Sequence, residues 1–225
     1  MSFLFGTVVL SRFDLLDRLL VSVCKSHLQP SVTTVVVNGP VSGFIDRRSA
    51  EVLVPKENAG CAGGWNLLIE RARSLKLPYV IIANDDVELD EHALANIHAG
   101  LVMESADLAA GHGFSLFGMR TALVDEVGWF DENFFPAYFE DNDFAYRLKL
   151  AGKKSIAVPT NIIHEGSATL KSMSPAARRE FDTVYGKLQT YYASKWGRTP
   201  KRGERFKAPF NGKPPKGWRE RPRTG

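Results

Sequence analysis

Cysteine is scarce: the 225 residues include only Cys24 and Cys61. Two cysteines make no disulfide framework, and they read as ordinary buried or half-buried thiols of a reducing compartment. No apolar run approaches the ~18 residues that a membrane-spanning helix needs. The opening Met1-Ser2-Phe3-Leu4-Phe5-Gly6 lacks a basic segment and a cleavage site, which predicts no signal peptide. The expected location is therefore cytoplasmic, with peripheral membrane contact left open. Neither a P-loop nor a G-x-G-x-x-G turn is present, so the two commonest phosphate-loop signatures are excluded. No internal repeat occurs, which excludes a solenoid.

Net charge is also smaller in the body than the total of +4 implies. Residues 198–225 hold ten Lys or Arg and two Glu, while the preceding 197 residues hold 19 basic and 23 acidic residues. A mildly acidic body thus carries a basic tail rich in Pro and Gly. That tail has no helical or strand period and is expected to be flexible. Its charge would attract a polyanion or a membrane surface, and its Phe206, Phe210 and Trp218 could anchor such a partner or dock on the body. A merely solubilising terminus is the alternative. The predicted domain is 1–197, followed by the tail at 198–225.

What is present is organised around Val80-Ile81-Ile82-Ala83-Asn84-Asp85-Asp86-Val87. The apolar run reads as a buried strand. It ends in two adjacent carboxylates, which are costly unless solvent or a cation takes up their charge. Hard oxygen ligands of this kind suit Mg²⁺ or Mn²⁺. A solvated Asn-Asp-Asp turn is the competing reading.

Upstream, Phe3–Leu10 predicts a first strand and Asp14–Ser26 a helix with Asp14 as its cap. Val32–Val37 and Glu51–Val54 predict further strands, so the rhythm is that of a parallel sheet with crossovers. Glu57-Asn58-Ala59-Gly60-Cys61-Ala62-Gly63-Gly64-Trp65-Asn66 is a glycine loop opening a helix over 64–74. It allows either a phosphate to approach or only a tight strand-to-helix turn.

Downstream, a helix is expected over 91–104, strands over 108–110 and 114–119, and a short helix over 120–127. An aromatic loop follows at Trp129–Pro136, either core or a platform for a sugar ring. Glu140, Asp141 and Asp143 crowd the first turn of the next helix. Acids are normal there, but three in four residues exceed capping, and a carboxylate among carboxylates suits a general base. Ser155–Val158 predicts a strand. His164 follows the apolar Ile162-Ile163, and Pro175–Trp196 predicts a long final helix.

The order of these motifs resembles the family 2-type, GT-A fold glycosyltransferases, particularly rhamnosyltransferase-like and galactofuranosyltransferase-like members, over about residues 4–170. Asn58–Asn66 is similar to the family's N-x-G-x-x-G-G-x-N loop, and Asn84-Asp85-Asp86 to its metal-binding D-x-D. Gly128–Phe135 resembles its G-x-F-D-E-x-F-F segment, Glu140-Asp141 its base motif, and His164-Glu165-Gly166-Ser167 its late metal-ligand His.

The resemblance implies an α/β, Rossmann-like, mostly parallel sheet flanked by helices. It implies a metal-dependent inverting transfer of a hexosyl or deoxyhexosyl group from a UDP-, dTDP- or GDP-sugar. The acceptor would be the hydroxyl of a glycan, lipid-linked glycan or protein. Asp141 would be the base, with Glu140 beside it. Asp86 and His164 would hold Mn²⁺ or Mg²⁺. Ser11, Arg12, Asn38, Asn58, Gly60, Gly63, Asn66, Asn84 and Asp85 would bind the donor. Asn38 stands where the family often has an Asp, and Asn84 where D-x-D begins. The other readings are a nucleotidyltransferase and a non-catalytic nucleotide-sugar-binding module.

Overall fold

The computed structural model describes residues 2–40, 50–166, 174–200 and 202–221. Ser167 of the late His motif, and Lys201 and residues 222–225 of the tail, lie outside the described residues.

The strands are β1 (Phe3–Val9), β2 (Val32–Val37), β3 (Glu51–Leu53), β4 (Tyr79–Asn84), β5 (Val87–Glu88), β6 (Leu108–Ala110), β7 (Leu116–Arg120), β8 (Ser155–Ala157) and β9 (Ile163–His164). The helices are α1 (Phe13–Lys25), α2 (Gly60–Ser74), α3 (Ala93–Val102), α4 (Leu123–Val127), α5 (Glu140–Leu150) and α6 (Pro175–Trp196). Seven strands form one sheet in the order β3-β2-β1-β4-β7-β6-β8. Among the described strands of this sheet, only β7 runs against its neighbours, β4 and β6. The sheet is thus mostly parallel, as expected from the strand–helix rhythm.

Alternation along the strands divides the core between two faces. Leu4, Val80 and Ile82 pack with α2, α4 and α5. Phe3, Phe5, Ile81 and Ala83 pack with α1 and α3. Val80 to Ala83 are wholly buried, which is why β4 reads as an unbroken apolar run. Two small residues let α2 lie close to the sheet. A Cβ on Gly6 would come within 2.6 Å of Leu68, and one on Gly64 within 2.6 Å of Val8.

β1 pairs with β2 on one side and β4 on the other, all parallel. The chain reverses direction across the sheet here, and ligands sit beyond the carboxyl ends of strands at such a point. Asp85 and Asp86 leave β4 at that edge. A small second sheet, which the sequence did not announce, pairs β5 with β9 and sets Val87 opposite His164.

Several boundaries differ from the sequence expectation. Helix α1 starts at Phe13 and has no side-chain cap, because Asp14 pairs with Arg12 instead. Helix α2 starts at Gly60, four residues early, so most of the glycine loop is its first turn. Cys24 is exposed, and only Cys61 is half-buried.

Of the tail's two expected uses for its aromatics, contact with a partner or docking on the body, the described residues show docking. Trp218 donates its Nε1–H to the Tyr191 hydroxyl at 2.7 Å. Arg221 pairs with Glu132 at 3.0 Å and Glu70 at 2.8 Å, and lies 4.5 Å from the Trp129 ring centre. Aromatics among basic residues here find their partner in the chain itself.

Candidate active site

A cleft of about 450 Å³ opens at the carboxyl edge of β1 and β4. Asn84, Asp85 and Asp86 line one part of it, with His164, and Glu140 and Asp141 line another. The short β5–β9 ladder brings His164 to Asp86, leaving Nε2 3.2 Å from Oδ1. Glu165 extends the ladder by donating its backbone N–H to the Asp86 carbonyl at 3.2 Å. Two residues far apart in sequence therefore meet as a nitrogen–oxygen pair, a donor set that suits a divalent transition metal.

Burial, and then the neighbouring Asp86 charge, push the Asp85 carboxyl up to about 7. The Asp85 charge is thus poorly compensated, and a bound cation would relieve this. The residues present fit a divalent metal ion.

On the other side, α5 begins after two consecutive non-glycine residues in the left-handed region, Tyr138 (φ 88°) and Phe139 (φ 74°). Such backbone costs roughly 1 kcal/mol per residue and persists where surrounding packing imposes it. Here Phe139 is buried against Phe134, Tyr185 and Tyr192, and its carbonyl accepts from Asp143 N–H at 2.9 Å. The bend turns Glu140 and Asp141 into the cleft.

Glu140 is only 5% exposed. Burial, and then the Asp141 charge, push it up to about 8, so it is mostly protonated at neutral pH. One of its oxygens, Oε2, has no hydrogen-bond partner among the described residues. Asp141 is more exposed and also lines the cleft. Burial pushes the adjacent Cys61 thiol well up, and Glu140 and Asp141 add to the effect. Cys61 is therefore a neutral wall residue rather than a nucleophile.

Behind this turn lies a buried network that sequence reasoning missed. Lys195 Nζ reaches Asp131 at 2.7 Å and Asp143 at 2.6 Å. Asp143 also accepts from Trp196 Nε1 at 2.8 Å and pairs with Arg147 at 2.8 Å. Burial alone would push Asp143 up, but Arg147 and Lys195 outweigh it and hold the carboxyl below its ordinary value. Asp143 thus ties the first turn of α5 to the end of α6. The signal available in the sequence was the third acid in that turn, which capping did not explain.

The expected donor-binding residues separate into two groups. Asn38, Asn58, Gly60, Asn84 and Asp85 line the cleft. Asn38 also braces the glycine turn, donating to the Gly60 carbonyl at 2.9 Å and accepting from Ala59 N–H at 3.2 Å. Asn58 Oδ1 accepts from Gly60 N–H at 2.9 Å. Gly60 needs to be glycine: its φ is 69°, and a Cβ would meet the Pro136 carbonyl oxygen at 2.7 Å.

Ser11, Arg12, Gly63 and Asn66 are not among the lining residues. Ser11 is exposed. Arg12 is paired with Asp14 at 2.6 Å, and its charge reaches Asp85. A Cβ on Gly63 would meet Ala59 Cβ at 2.9 Å, which makes it a helix-packing position. Asn66 is wholly buried, bonded to Phe130 N and O and to Glu132. Its amide holds the aromatic loop against α2.

That loop is core for the most part: Trp129, Phe130 and Phe134 are buried, and Phe135 is exposed. Tyr138 and Phe181 line the cleft, and His112 sets its ring 5.2 Å from that of His164. No local sequence signal links His112 to residue 164.

The sheet order, the cleft at its carboxyl edge and the flanking helices define the GT-A glycosyltransferase fold. Two structures of Staphylococcus aureus TarS share it. For TarS 1–349 the TM-score is 0.56 at 15% identity, over 70% of this chain and 59% of that one. For the other it is 0.58 at 14% identity, over 86% and 40%. A mannosyltransferase from Pyrobaculum calidifontis, in complex with GDP-Man and Mn²⁺, matches with a TM-score of 0.56 at 12% identity, over 85% and 71%. Among curated proteins, a galactofuranosyl glycosyltransferase from Leishmania donovani is 34% identical over 64 residues. That match takes in 28% of this chain and 15% of the relative's length. No family model matches the chain.

Proposed function

We propose that this protein is a metal-dependent, inverting glycosyltransferase. It moves a sugar from a nucleoside-diphosphate-sugar to an acceptor hydroxyl of a glycan, lipid-linked glycan or protein. The observation that carries this reading is the single cleft that gathers Asp85, Asp86 and His164 with Glu140 and Asp141.

Asp86 and His164 would hold the metal, with Asp85 beside them. A bound Mn²⁺ or Mg²⁺ supplies neutralisation of the charge that develops on the leaving diphosphate. Asn38, Asn58 and Gly60 form the wall on which the nucleotide of a UDP-, dTDP- or GDP-sugar rests, with an amide at position 38 rather than a carboxylate. Asp141 takes the proton of the acceptor hydroxyl. The acceptor oxygen then bonds to the anomeric carbon as the bond to the diphosphate breaks, and a single displacement inverts that centre. Glu140, protonated at neutral pH, donates a hydrogen bond to the acceptor instead of competing for its proton. We place the enzyme in the cytoplasm or at a membrane surface. The basic tail serves acceptors that carry acidic groups.

The test is release of nucleoside diphosphate from a panel of sugar nucleotides, with Mn²⁺ and with chelator, in the wild type, Asp86→Asn and Asp141→Asn. Turnover that needs metal and both carboxylates supports the reading. Binding of a nucleotide-sugar without turnover would favour the non-catalytic module, and release of pyrophosphate from a nucleoside triphosphate the nucleotidyltransferase.

A further inference from the structure

A second group of metal-ligating side chains lies outside the cleft lining: His27, Glu91 and His92. His27 stands in the connection between α1 and β2, and Glu91 and His92 immediately precede α3. The two segments are joined through the backbone, because His27 N–H donates to the Glu91 carbonyl at 2.8 Å. Asp90 is already committed. Its Oδ1 accepts from His92 N–H at 2.8 Å and its Oδ2 from Asn161 N–H at 2.7 Å.

The three side chains converge. The Nδ1 atoms of His27 and His92 are 3.3 Å apart, with the rings edge to face. Glu91 reaches both rings, with Oε2 3.5 Å from His27 Nε2 and Oε1 3.6 Å from His92 Nε2. One ligand atom from each can be chosen so that all lie within 4.8 Å of one another. In a tetrahedral zinc site with bonds of about 2.0–2.1 Å, ligand atoms are about 3.4 Å apart. Rotations of exposed side chains cover that difference. Each side chain is between 56% and 60% exposed, so a fourth position faces solvent. Two imidazoles and one carboxylate favour zinc over magnesium or manganese.

We propose that His27, Glu91 and His92 bind Zn²⁺ with water as the fourth ligand. The ion clips the α1–β2 connection to the segment that runs from Asp86 to α3. The site is independent of the glycosyl-transfer reading, which uses a different set of side chains.

Full-length protein is stripped with chelator, desalted at pH 7.5 and titrated calorimetrically with Zn²⁺ and, separately, with Mg²⁺. Co²⁺ is added in parallel and read by its visible absorption. Wild type is compared with His27→Gln, His92→Gln and Asp86→Asn. The expected result is that both His variants bind one zinc equivalent fewer than wild type and lose a tetrahedral Co²⁺ band that Asp86→Asn keeps. Zinc at a hundredfold excess over Kd should raise the wild-type Tm by about 5 °C or more. The His variants should match the wild type without metal and lose that rise. Equal zinc stoichiometry in wild type and both His variants would overturn the site. So would a Co²⁺ band lost only in Asp86→Asn.

Discussion

The Glu140 carboxyl offers a prediction that separates its environment from its chemistry. It is buried, one oxygen has no partner among the described residues, and its folded-state value of about 8 stands above the ordinary 4.5. The folded chain therefore keeps a proton that the unfolded chain gives up. Stability from this group is fully present below about pH 4.5 and declines as pH rises to about 8, where the difference is spent. Within that window the slope is about 1.4 kcal/mol per pH unit. From pH 5.5 to 7.5 the loss is then about 3 kcal/mol, or on the order of 5–11 °C in Tm for a chain of this size. Glu140→Gln places a neutral group of the same shape in the site and removes the dependence. All other titrating groups are common to both proteins. Metal-free wild type and variant should thus be melted side by side at half-unit intervals. The Tm of the variant minus that of the wild type should grow by about 5–11 °C over those two pH units. Parallel curves would refute the assignment of a buried, protonated Glu140.

Asp86→Asn should abolish turnover and weaken nucleoside diphosphate binding, and chelator should reproduce this in the wild type; full activity in chelator would sink the metal role. Asp141→Asn should lower kcat by about 10²–10⁴-fold while leaving donor KM near wild type. If Glu140→Gln is the more damaging change, the two carboxylates exchange roles. Lys195→Met leaves Asp131 without its buried ammonium partner and should destabilise by about 3–5 kcal/mol in urea unfolding; a midpoint close to wild type would contradict the network. Removing residues 202–225 takes away the Trp218 and Arg221 contacts and should lower the Tm. It should also flatten the salt dependence of transfer to an acidic acceptor while sparing donor hydrolysis. Identical salt profiles would leave the tail no role in acceptor capture.

Much of the architecture was legible in the chain because its signals are local. The β4 run is apolar throughout since both faces of that strand are covered, and its abrupt end at Asp85-Asp86 marks where the strand opens onto the cleft. Helix α6 was readable from Pro175 to Trp196 because its apolar spacing persists over many turns. The cluster of Glu140, Asp141 and Asp143 was visible as an excess of acid in one turn. The sequence could not divide their roles. Asp143 turns inward to Lys195 and Arg147, Glu140 is buried as a neutral acid, and Asp141 remains at the cleft.

Other features exist only through pairing at long range. The glycine motif reads as one unit along the chain, yet Gly60 faces the cleft while Gly63 and Gly64 serve helix packing. Which side a glycine presents depends on where α2 starts, and that was set by a backbone bond from Cys61 to Pro136. Asn66 looked like a ligand contact and became a brace, because the aromatic loop offered its buried amide better-placed partners. The tail lacked any periodic signal because its order comes from docking Trp218 and Arg221 on distant side chains. Composition and periodicity determined the elements and the acidic strand end. The meeting of Asp86 with His164 was decided by a two-residue strand pair, too short to be seen without its partner.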